Sequence, residues 1–395
     1  MFYGNKQNAI IHSMERFCPI TNTWLYNLIR TQSRYRPMVF CNEVENRDLF
    51  PFSDVHCPKE TLGGLADIVN KVLIKGMSLN YSPYAYLCAK RYRPSLWHSH
   101  FGTRAVFDME LVRRLQIPQV VTFYGLDASL IPKRQPVWRD HYHHLFSKVS
   151  KVLAEGNHFK KVLEDLGCPS QKVIVQRIGI DEEAIRFEPR RFTHGDTLKI
   201  MTVGSFREKK GIPYAIKALA EARKEYDNIR LTLYGDANKG YRRDEEEKTT
   251  ILENVEELGL QDNVDFKGYV PFDQIFTDCY SHHLLLQPSV TAVDGDTEGG
   301  FPVIISEMLA SGMPVVSTFH CDIPEVVLDE KCGLLSPERD VSSLAENMLF
   351  FVNNPDSFEA FGRAGRKHIE QNYSLKKQAQ SLERIYDEVL AEHSL

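Results

Sequence analysis

Residues Leu286–Thr318 read LQPSVTAVDGDTEGGFPVIISEMLASGMPVVST, and this stretch decides the expected fold. A loop with two adjacent glycines is followed by an apolar helical pattern and then by a short apolar strand. Gly299 and Gly300 let the backbone approach a ligand closely, and Pro302 suits the first position of the helix. Gly312 is typical of a helix end, and the strand after it is apolar enough to be buried on both faces of a parallel sheet.

The start of this helix is a candidate binding site. Unpaired backbone N–H groups and the positive end of the helix dipole favour a phosphate group there. Glu298 and Glu307 stand on either side of the glycines, and carboxylates accept hydrogen bonds from sugar hydroxyls. An ordinary strand, loop and helix of an α/β domain is the alternative. It explains the glycines but gives the two glutamates no role, so we favour a diphosphate site.

Length and composition set the class of protein. The chain has 395 residues, of which 43% are hydrophobic, so it is long enough for two or three domains with full cores. No stretch has the ~20 apolar residues of a membrane-spanning helix, and the first residues lack the apolar core of a signal peptide. We therefore expect a soluble protein of the cytoplasm. The eight cysteines occur singly, which predicts reduced thiols rather than disulfides or a zinc site.

The net charge of −5 is unevenly distributed along the chain. Residues 1–190 hold 26 Lys and Arg against 18 Asp and Glu, whereas residues 191–395 hold 22 against 35. Basic clusters in the first half suit an anionic membrane or an acidic acceptor, although most such clusters are solvated faces. The clusters are Lys90–Arg91–Arg93, Arg113–Arg114 and Lys133–Arg134. Because they are short and lack interleaved aromatic residues, nucleic acid is not an expected partner.

Short apolar runs alternate with helical patterns in both halves, which predicts two doubly wound, Rossmann-like α/β domains. The strands predicted in the first half are Asn8–Met14, Met38–Asn42, Leu96–Phe101, Gln119–Tyr124, Val149–Ala154 and Val173–Ile178, and its helices are Thr21–Arg30, Leu62–Lys75, Arg104–Leu115 and Phe159–Leu166. The strands predicted in the second half are Leu198–Val203, Ile229–Tyr234, Val264–Phe266, His283–Gln287 and Val315–Thr318, and its helices are Ile212–Tyr226, Arg243–Leu258 and Pro302–Ser311. Three further helices are predicted at Val341–Val352, Ser357–Gln371 and Leu375–His393.

The expected domains are residues 1–188 and 189–373, with a linker in the charged stretch Asp181–Asp196. Residues 374–395 are expected to form a helix that braces both domains. Parallel sheets of this kind bind ligands beyond the carboxyl ends of their strands. We therefore expect the two domains to face each other across a cleft that holds the chemistry.

A second candidate segment is Val203–Gly211, VGSFREKKG, which leaves one predicted strand and enters the next helix. Arg207, Lys209 and Lys210 give it three cations, which could neutralise a departing diphosphate as a metal ion does in other enzymes. A charged loop that only solvates a helix start is an equal alternative when the segment is taken alone.

In the first half, two predicted strands end in polar residues. His100 follows one of them and Asp127 follows the other. Asp127 could orient or deprotonate an acceptor hydroxyl, and His100 could hydrogen-bond a sugar or that acid. Single residues of these types at strand ends are more often caps or satisfied structural groups.

Two apparent metal motifs are better explained without a metal. Asp294-Gly295-Asp296 lies in a turn-prone loop, and we predict a plain turn there. The run Asp140–His144, DHYHH, has helical ligand spacing but no partner cluster, so we predict a solvated helical face. The first predicted strand is not followed by G-x-G-x-x-G, which disfavours a dinucleotide dehydrogenase.

With these residues in view, the chain resembles glycosyltransferase family 4, the retaining transferases of the GT-B fold, and especially its bacterial polysaccharide-type members. The likeness spans nearly the whole chain. In the second domain it rests on VGSFREKKG, on LYGD at Leu233–Asp236, on VDFKGYV at Val264–Val270 and on EGGFPVIISE. In the first domain HSHFG, VTFYGLD, LAEGNHFKKVLEDLGCP and RIGID are similar to family segments in the same order.

The resemblance implies transfer of a sugar from a nucleotide-diphosphate donor, with retention at the anomeric carbon and with no cofactor and no metal. The implied diphosphate site consists of Lys210, a nearby arginine, Gly299 and the backbone N–H groups of Gly300 and Phe301. Glu307 would bind the donor ribose, and Tyr269–Val270 would contact the base through its backbone. Glu298 would contact the transferred sugar and is a candidate catalytic residue.

The chain departs from the family pattern in both domains. Ser205 stands where the family has an arginine, so Arg207 must replace that residue. Glu298 and Glu307 lie nine positions apart, where many members have eight. Tyr124 stands where a histidine is common, which leaves Asp127 and His100 as the candidate catalytic residues of the first domain. The amino-terminal loop also lacks the expected glycines.

Our hypothesis is a cytoplasmic retaining glycosyltransferase that uses a UDP- or GDP-sugar and extends a glycan or lipid-linked acceptor, in peripheral contact with the inner face of a membrane. A sugar-nucleotide epimerase on the same fold is a second hypothesis. A non-catalytic sugar-nucleotide-binding subunit is a third.

Overall fold

The computed structural model describes residues 8–19, 22–63, 68, 72 and 81–394, and the chain forms two compact units. The first unit is Met1–Asp181 together with Leu375–Leu395, and the second is Glu182–Ser374. The sequence places this boundary at 188/189, slightly later in the chain. The final helix, Leu375–His393, belongs to the first unit, and its predicted bracing of both domains stays a prediction.

The first unit is built on a seven-stranded parallel sheet with the order β3-β2-β1-β4-β5-β6-β7. Its strands are β1 Ala9–Phe17, β2 Arg36–Val44, β3 Val55–His56, β4 Leu96–His100, β5 Gln119–Thr122, β6 Lys151–Ala154 and β7 Val173–Val175. Its helices include Thr23–Thr31, Pro83–Tyr92, Gly102–Leu115, Leu126–Ser129, Ile131–Arg134, Val137–Lys148, Asn157–Asp165 and Leu375–His393. Residues 58–63 are also helical.

Helices cover both faces of this sheet, which explains why its central strands β4 and β5 are buried along their whole length. Adjacent residues of a strand point to opposite faces. Ile10 accordingly packs in one cluster with Tyr386 of the last helix, whereas Ile11 packs in another with Leu111. The helix Leu375–His393 thus completes the core of the unit in which the chain begins.

The second unit has a six-stranded parallel sheet with the order β10-β9-β8-β11-β12-β13. Its strands are β8 Leu198–Val203, β9 Ile229–Tyr234, β10 Val264–Gly268, β11 Leu284–Gln287, β12 Val315–Thr318 and β13 Gly333–Ser336. Its helices are Ile212–Ala222, Arg242–Glu257, Phe272–Cys279, Val303–Ser311, Ile323–Val326, Val341–Asn353 and Ser357–Asn372. The strand order reverses between β8 and β11, and sheets of this kind bind ligands beyond the carboxyl ends of the strands at that point.

The predicted fold class, with two doubly wound α/β units, is confirmed. The predicted helix Leu62–Lys75 lies mostly outside the described residues. Pro302 was expected at the first helical position, but it stands one residue earlier, because its ψ of 123° is extended and the helix begins at Val303. In the described part of the chain, no helix combines the length and the apolar character needed to cross a membrane.

Candidate functional site

Two loops leave the carboxyl edge of the second sheet side by side. Loop A, residues 204–211, follows β8, and loop B, residues 288–302, follows the neighbouring strand β11. Val290 of loop B donates its N–H to the carbonyl oxygen of Lys209 at 2.9 Å. Gly211 has φ +65°, and a Cβ added there would stand 1.9 Å from the carbonyl oxygen of Pro288. The loops therefore touch through their backbones at a position that only glycine fits.

The cations of loop A point at the acids of loop B. Lys210 Nζ lies 2.9 Å from Glu298 Oε1, and Arg207 Nη2 lies 2.5 Å from Asp296 Oδ2. Lys209 donates to the carbonyl oxygen of Thr297 at 2.8 Å. The structure thus brings the predicted phosphate-binding cations together with the first predicted glutamate.

Glu298 is a buried carboxylate with several donors around it. Ser289 donates its hydroxyl to Glu298 Oε1 at 2.9 Å, and the Glu298 side chain is only 5% exposed. Burial alone raises the pKa of a carboxyl, but the ammonium groups of Lys210 and Lys209 outweigh burial and hold the pKa of Glu298 at about 2. Glu298 is therefore ionised at neutral pH and balances the charge of the lysines.

His320 fixes the backbone of loop B and was missed from the sequence. Its Nε2 accepts the N–H of Glu298 at 3.2 Å, and its Nδ1 lies 2.6 Å from Glu338 Oε1. Glu338 also accepts the N–H of Thr291 at 2.8 Å, so this carboxylate supports loop B directly at Thr291 and through His320 at Glu298. His320 follows β12 and Glu338 follows β13, so the only sequence signal was their place after successive buried strands.

The glycines and Phe301 form the turn that leads into the helix Val303–Ser311. Gly299 has φ +80°, which favours glycine, and its N–H donates to Thr297 Oγ1 at 3.2 Å. The carbonyl oxygen of Gly300 accepts the N–H of Asp322 at 3.0 Å. Among the described residues, the backbone N–H groups of Gly300 and Phe301 have no acceptor. These two groups lie just before the helix start, and their predicted binding of a diphosphate stays a prediction.

Glu307 is buried on this helix without a counter-charge. Burial raises the pKa of its carboxyl to about 8. Within the described ranges no side-chain or backbone donor contacts that carboxyl, which contrasts with the many donors around Glu298. A buried acid without a partner is costly to the fold and is typical of a ligand-binding position.

Tyr269 and Val270 follow β10, two strands away from β8 at the same carboxyl edge. Tyr269 is 60% exposed, and its hydroxyl lies 2.7 Å from the carbonyl oxygen of Asp236. The structure therefore places this predicted base-binding pair at the same edge as loops A and B, in the half of the sheet that contains β9 and β10.

In the first unit, His100 belongs to a buried layer of three histidines at the point where that sheet reverses its order. His12 Nδ1 lies 3.0 Å from His100 Nε2, and His100 Nδ1 lies 2.7 Å from the Tyr124 hydroxyl. The remaining ring nitrogens contact Gln32, Thr122 and Tyr386. Burial lowers the pKa of all three rings, to about 4 for His12. They are close enough together to hold a metal ion, but each ring nitrogen already has a hydrogen-bond partner.

Asp127 supports the backbone around it. Its Oδ2 accepts the N–H of Gly102 at 2.7 Å, and its Oδ1 accepts the N–H of Tyr124 at 3.0 Å. Burial raises the pKa of its carboxyl to about 6, against these hydrogen bonds. Of the two partners predicted for His100, a sugar or Asp127, the second is not bonded to it, because Tyr124 and His12 contact the ring nitrogens of His100. The role of Asp127 toward an acceptor stays a prediction.

The two motifs that the sequence discounted are a turn and a helical face. Gly295 has φ +85°, and its N–H donates to the carbonyl oxygen of Ala292 at 2.8 Å, as expected of a turn. Asp296 of this turn is a buried acid, and it pairs with Arg207. His141, His143 and His144 are exposed on the helix Val137–Lys148, in agreement with a solvated face.

Known proteins resemble this chain over most of its length. Residues 184–368 match the model of the glycosyl transferases group 1, and residues 23–184 match the model of Glycosyltransferase Family 4. The putative colanic acid biosynthesis glycosyltransferase WcaL of Escherichia coli K12 is 30% identical over 72% of this chain and 68% of its own length. The amylovoran biosynthesis glycosyltransferase AmsK of Erwinia amylovora is 30% identical over 75% of this chain and 72% of its own.

Solved structures share the fold. Anabaena Alr3699/HepE in complex with UDP has a TM-score of 0.76 at 17% identity, covering 96% of this chain and 100% of that one. Sucrose-phosphate synthase from Thermosynechococcus elongatus has a TM-score of 0.76 at 16% identity, covering 98% of this chain and 100% of that one. At these identities the likeness concerns the arrangement of strands and helices.

Proposed function

This chain belongs to the group 1 glycosyl transferases, with a family 4 amino-terminal part, and from that premise we propose that it acts in the synthesis of a cell-surface polysaccharide. In this proposal it moves a sugar from a UDP- or GDP-sugar to a glycan or lipid-linked acceptor, with retention at the anomeric carbon. The names of the two bacterial relatives support the polysaccharide, and the UDP bound to a protein of the same fold supports a nucleotide donor.

One observation carries the proposal. The loops that follow β8 and β11, where the second sheet reverses its strand order, carry three cations and a glycine turn with N–H groups that have no acceptor among the described residues. The helix that follows this turn carries the buried acid Glu307, which has no counter-charge in the described part of the chain. A nucleotide-diphosphate sugar needs complementary groups of these three kinds, for its phosphates and its hydroxyls.

The proposed diphosphate site uses Lys210 and Arg207 as charges and the N–H groups of Gly300 and Phe301 as directed donors. Negative charge grows on the diphosphate as the bond to the sugar breaks, so donors fixed around it lower the barrier. The cations of loop A would supply this stabilisation from the chain itself, which is why we propose a metal-independent reaction.

Glu307 is the proposed ribose ligand. Its carboxyl has no donor among the described residues, and two hydroxyls of a ribose would supply donors that favour the ionised form. Tyr269–Val270 is the proposed base contact. Glu298 is the proposed contact to the transferred sugar, where it would exchange part of its pairing with Lys210 for a sugar hydroxyl.

The first unit is the proposed acceptor-binding part. Asp127 and His100 are its proposed catalytic residues, on the grounds of the family pattern, although both are buried and hydrogen-bonded within the unit. Its excess of Lys and Arg supports a peripheral contact with an anionic membrane at the cytoplasmic face, where a lipid-linked acceptor would lie.

A thermal-shift screen against UDP, GDP, ADP and their common sugar conjugates tests the donor site. A ligand at ~100 times its Kd adds about 2.7 kcal/mol to the free energy of unfolding. We expect stabilisation by one nucleotide family, lost in Lys210→Ala and Glu307→Gln but kept in the exposed control Lys224→Ala. No shift with any nucleotide would contradict the proposed donor. Conversion of the donor sugar without an acceptor would instead favour the epimerase.

A further inference from the structure

We propose that Asp296 is a positioning residue that orients Arg207 toward the diphosphate of the donor, an inference that rests on the proposed function. Arg207 must replace the arginine that the family has where this chain has Ser205. An arginine side chain has many rotamers, and it binds an anion well only when its orientation is set beforehand. Asp296 sets that orientation.

The carboxylate of Asp296 is held by a rigid turn. The carbonyl oxygen of Asp296 accepts the N–H of Ala292 at 2.9 Å, and the N–H of Asp296 donates to Asp294 Oδ1 at 2.9 Å. Gly295 between the two aspartates has φ +85°. The Asp296 side chain is only 5% exposed. With its backbone hydrogen-bonded through both its N–H and its carbonyl group, and with a less exposed side chain than Arg207, Asp296 is the more constrained partner of the pair.

Arg207 is the partner with spare donors. Its Nη2 lies 2.5 Å from Asp296 Oδ2, and its side chain is 36% exposed. A guanidinium group has five N–H donors. Among the residues that the structure describes, no second acceptor contacts the guanidinium group of Arg207. Asp296 therefore holds the group through one nitrogen and leaves its other N–H groups available to a ligand.

The two lysines of loop A differ from Arg207 in this respect. Lys210 Nζ lies within 3.0 Å of both carboxylate oxygens of Glu298. Lys209 donates to the carbonyl oxygen of Thr297 at 2.8 Å and lies 3.5 Å from Asp296 Oδ1. Both lysines thus have two acceptor contacts on loop B, whereas Arg207 contacts loop B through Nη2 alone and keeps more donors for an incoming phosphate.

An opposite role is conceivable on charge alone, since a carboxylate competes with a diphosphate for the same cation. The two roles predict opposite effects of neutralising Asp296. Positioning predicts weaker nucleotide binding, because Arg207 is released from its fixed orientation. Competition predicts tighter binding, because Arg207 is freed for the ligand.

The test is calorimetric titration of the full chain with UDP and GDP, using Asp296→Asn, Asp296→Glu, Arg207→Ala and the double variant. We expect Asp296→Asn to raise the Kd of the bound nucleotide by about 5- to 10-fold, with partial recovery in Asp296→Glu. In the Arg207→Ala background, Asp296→Asn should add less than about 2-fold, because the two residues act through one contact. The matched control is Asp54→Asn, which neutralises an aspartate paired with Arg36 at 2.6 Å in the first unit and should leave the Kd unchanged.

Melting curves of each variant distinguish misfolding from a loss of binding. If Asp296→Asn does not fold, Asp296→Glu, which keeps the charge, is tested in its place. An unchanged or lower Kd in Asp296→Asn, or additive effects of the two substitutions, would overturn the inference while leaving the proposed function intact. Failure of the unsubstituted chain to bind either nucleotide would overturn the proposed function, and the inference with it.

Discussion

Gly211 and Pro288 approach so closely that a Cβ added to Gly211 would stand 1.9 Å from the carbonyl oxygen of Pro288. This contact joins the loop after β8 to the loop after β11, the two segments that carry the proposed donor site. This backbone contact therefore sets the spacing of the two loops independently of the ion pairs between them.

We expect Gly211→Ala to destabilise the second unit by about 3 kcal/mol or more, since the loops must separate and the residue is also strained at φ +65°. The matched control is Gly259→Ala, which has the same φ of +65° but no atom within 4 Å of the added Cβ. It should cost only about 1 kcal/mol, from backbone strain. Chemical unfolding of both variants measures the difference, and equal losses would show that the contact with Pro288 does not matter.

Removal of His320 should loosen loop B. His320→Ala leaves the Glu298 N–H without its acceptor and Glu338 without a buried partner, so we expect a loss of ~1–3 kcal/mol in the free energy of unfolding. Nucleotide affinity should fall with it, because the carboxylate of Glu298 and the glycine turn share this backbone. His144→Ala, at an exposed histidine of the first unit, is the control. Wild-type affinity in a fully folded His320→Ala variant would contradict the role given to His320.

Glu307 makes the stability of the chain depend on pH in a known direction. Its pKa is raised by burial from 4.5 to about 8, so between these values the unfolded chain has released the proton and the folded chain has kept it. The unfolded state therefore binds fewer protons, and stability falls as pH rises through this range. Glu307→Gln should remove part of this fall. Between pH 5 and pH 8, the free energy of unfolding of the variant should rise by about 1–3 kcal/mol relative to that of the unsubstituted protein. Unfolding curves at the two pH values test this, and identical pH dependence in both proteins would exclude it.

The histidine layer has the opposite dependence. Burial lowers the pKa of His12 from 6.5 to about 4, so between these values the unfolded chain binds a proton that the folded chain does not. Stability due to this neutral ring is therefore present above pH 6.5 and is lost as pH falls toward 4. His12→Gln should reduce the slope of unfolding free energy against pH by up to about 1.4 kcal/mol per pH unit in this range. An unchanged slope would mean that His12 is charged in the folded protein.

The sequence predicted the second unit more accurately than the first, for a physical reason. The bounds of β8, β9 and β12 match the structure because each is rich in apolar residues and has a glycine or proline directly beside one of its ends. By contrast, β3 has only two residues and lies at the edge of the sheet, so it has no periodic pattern. The helix Pro83–Tyr92 was missed because it buries only two small residues, Ala85 and Ala89, among aromatic and basic neighbours.

The candidate site could be predicted as far as local patterns extend. Glycines before an apolar helix and a basic loop after a strand are both local, and the reversal of strand order brings the two segments together. The pairing of Asp296 with Arg207 and the support of Glu298 by His320 join segments far apart in the chain. No spacing rule connects such partners, because their proximity depends on which strands are neighbours in the sheet.

The first unit is made from both ends of the chain, and this has a consequence for synthesis on the ribosome. The first sheet emerges early, yet the face that holds Ile10 and Leu153 is only partly covered until the helix Leu375–His393 has been made. All residues of the second unit have been synthesised before that helix leaves the exit tunnel. The second unit can therefore fold while the first unit still lacks its last helix. A nascent chain stalled near residue 374 would therefore carry a finished second unit attached to an unfinished first, with exposed apolar surface that chaperones recognise.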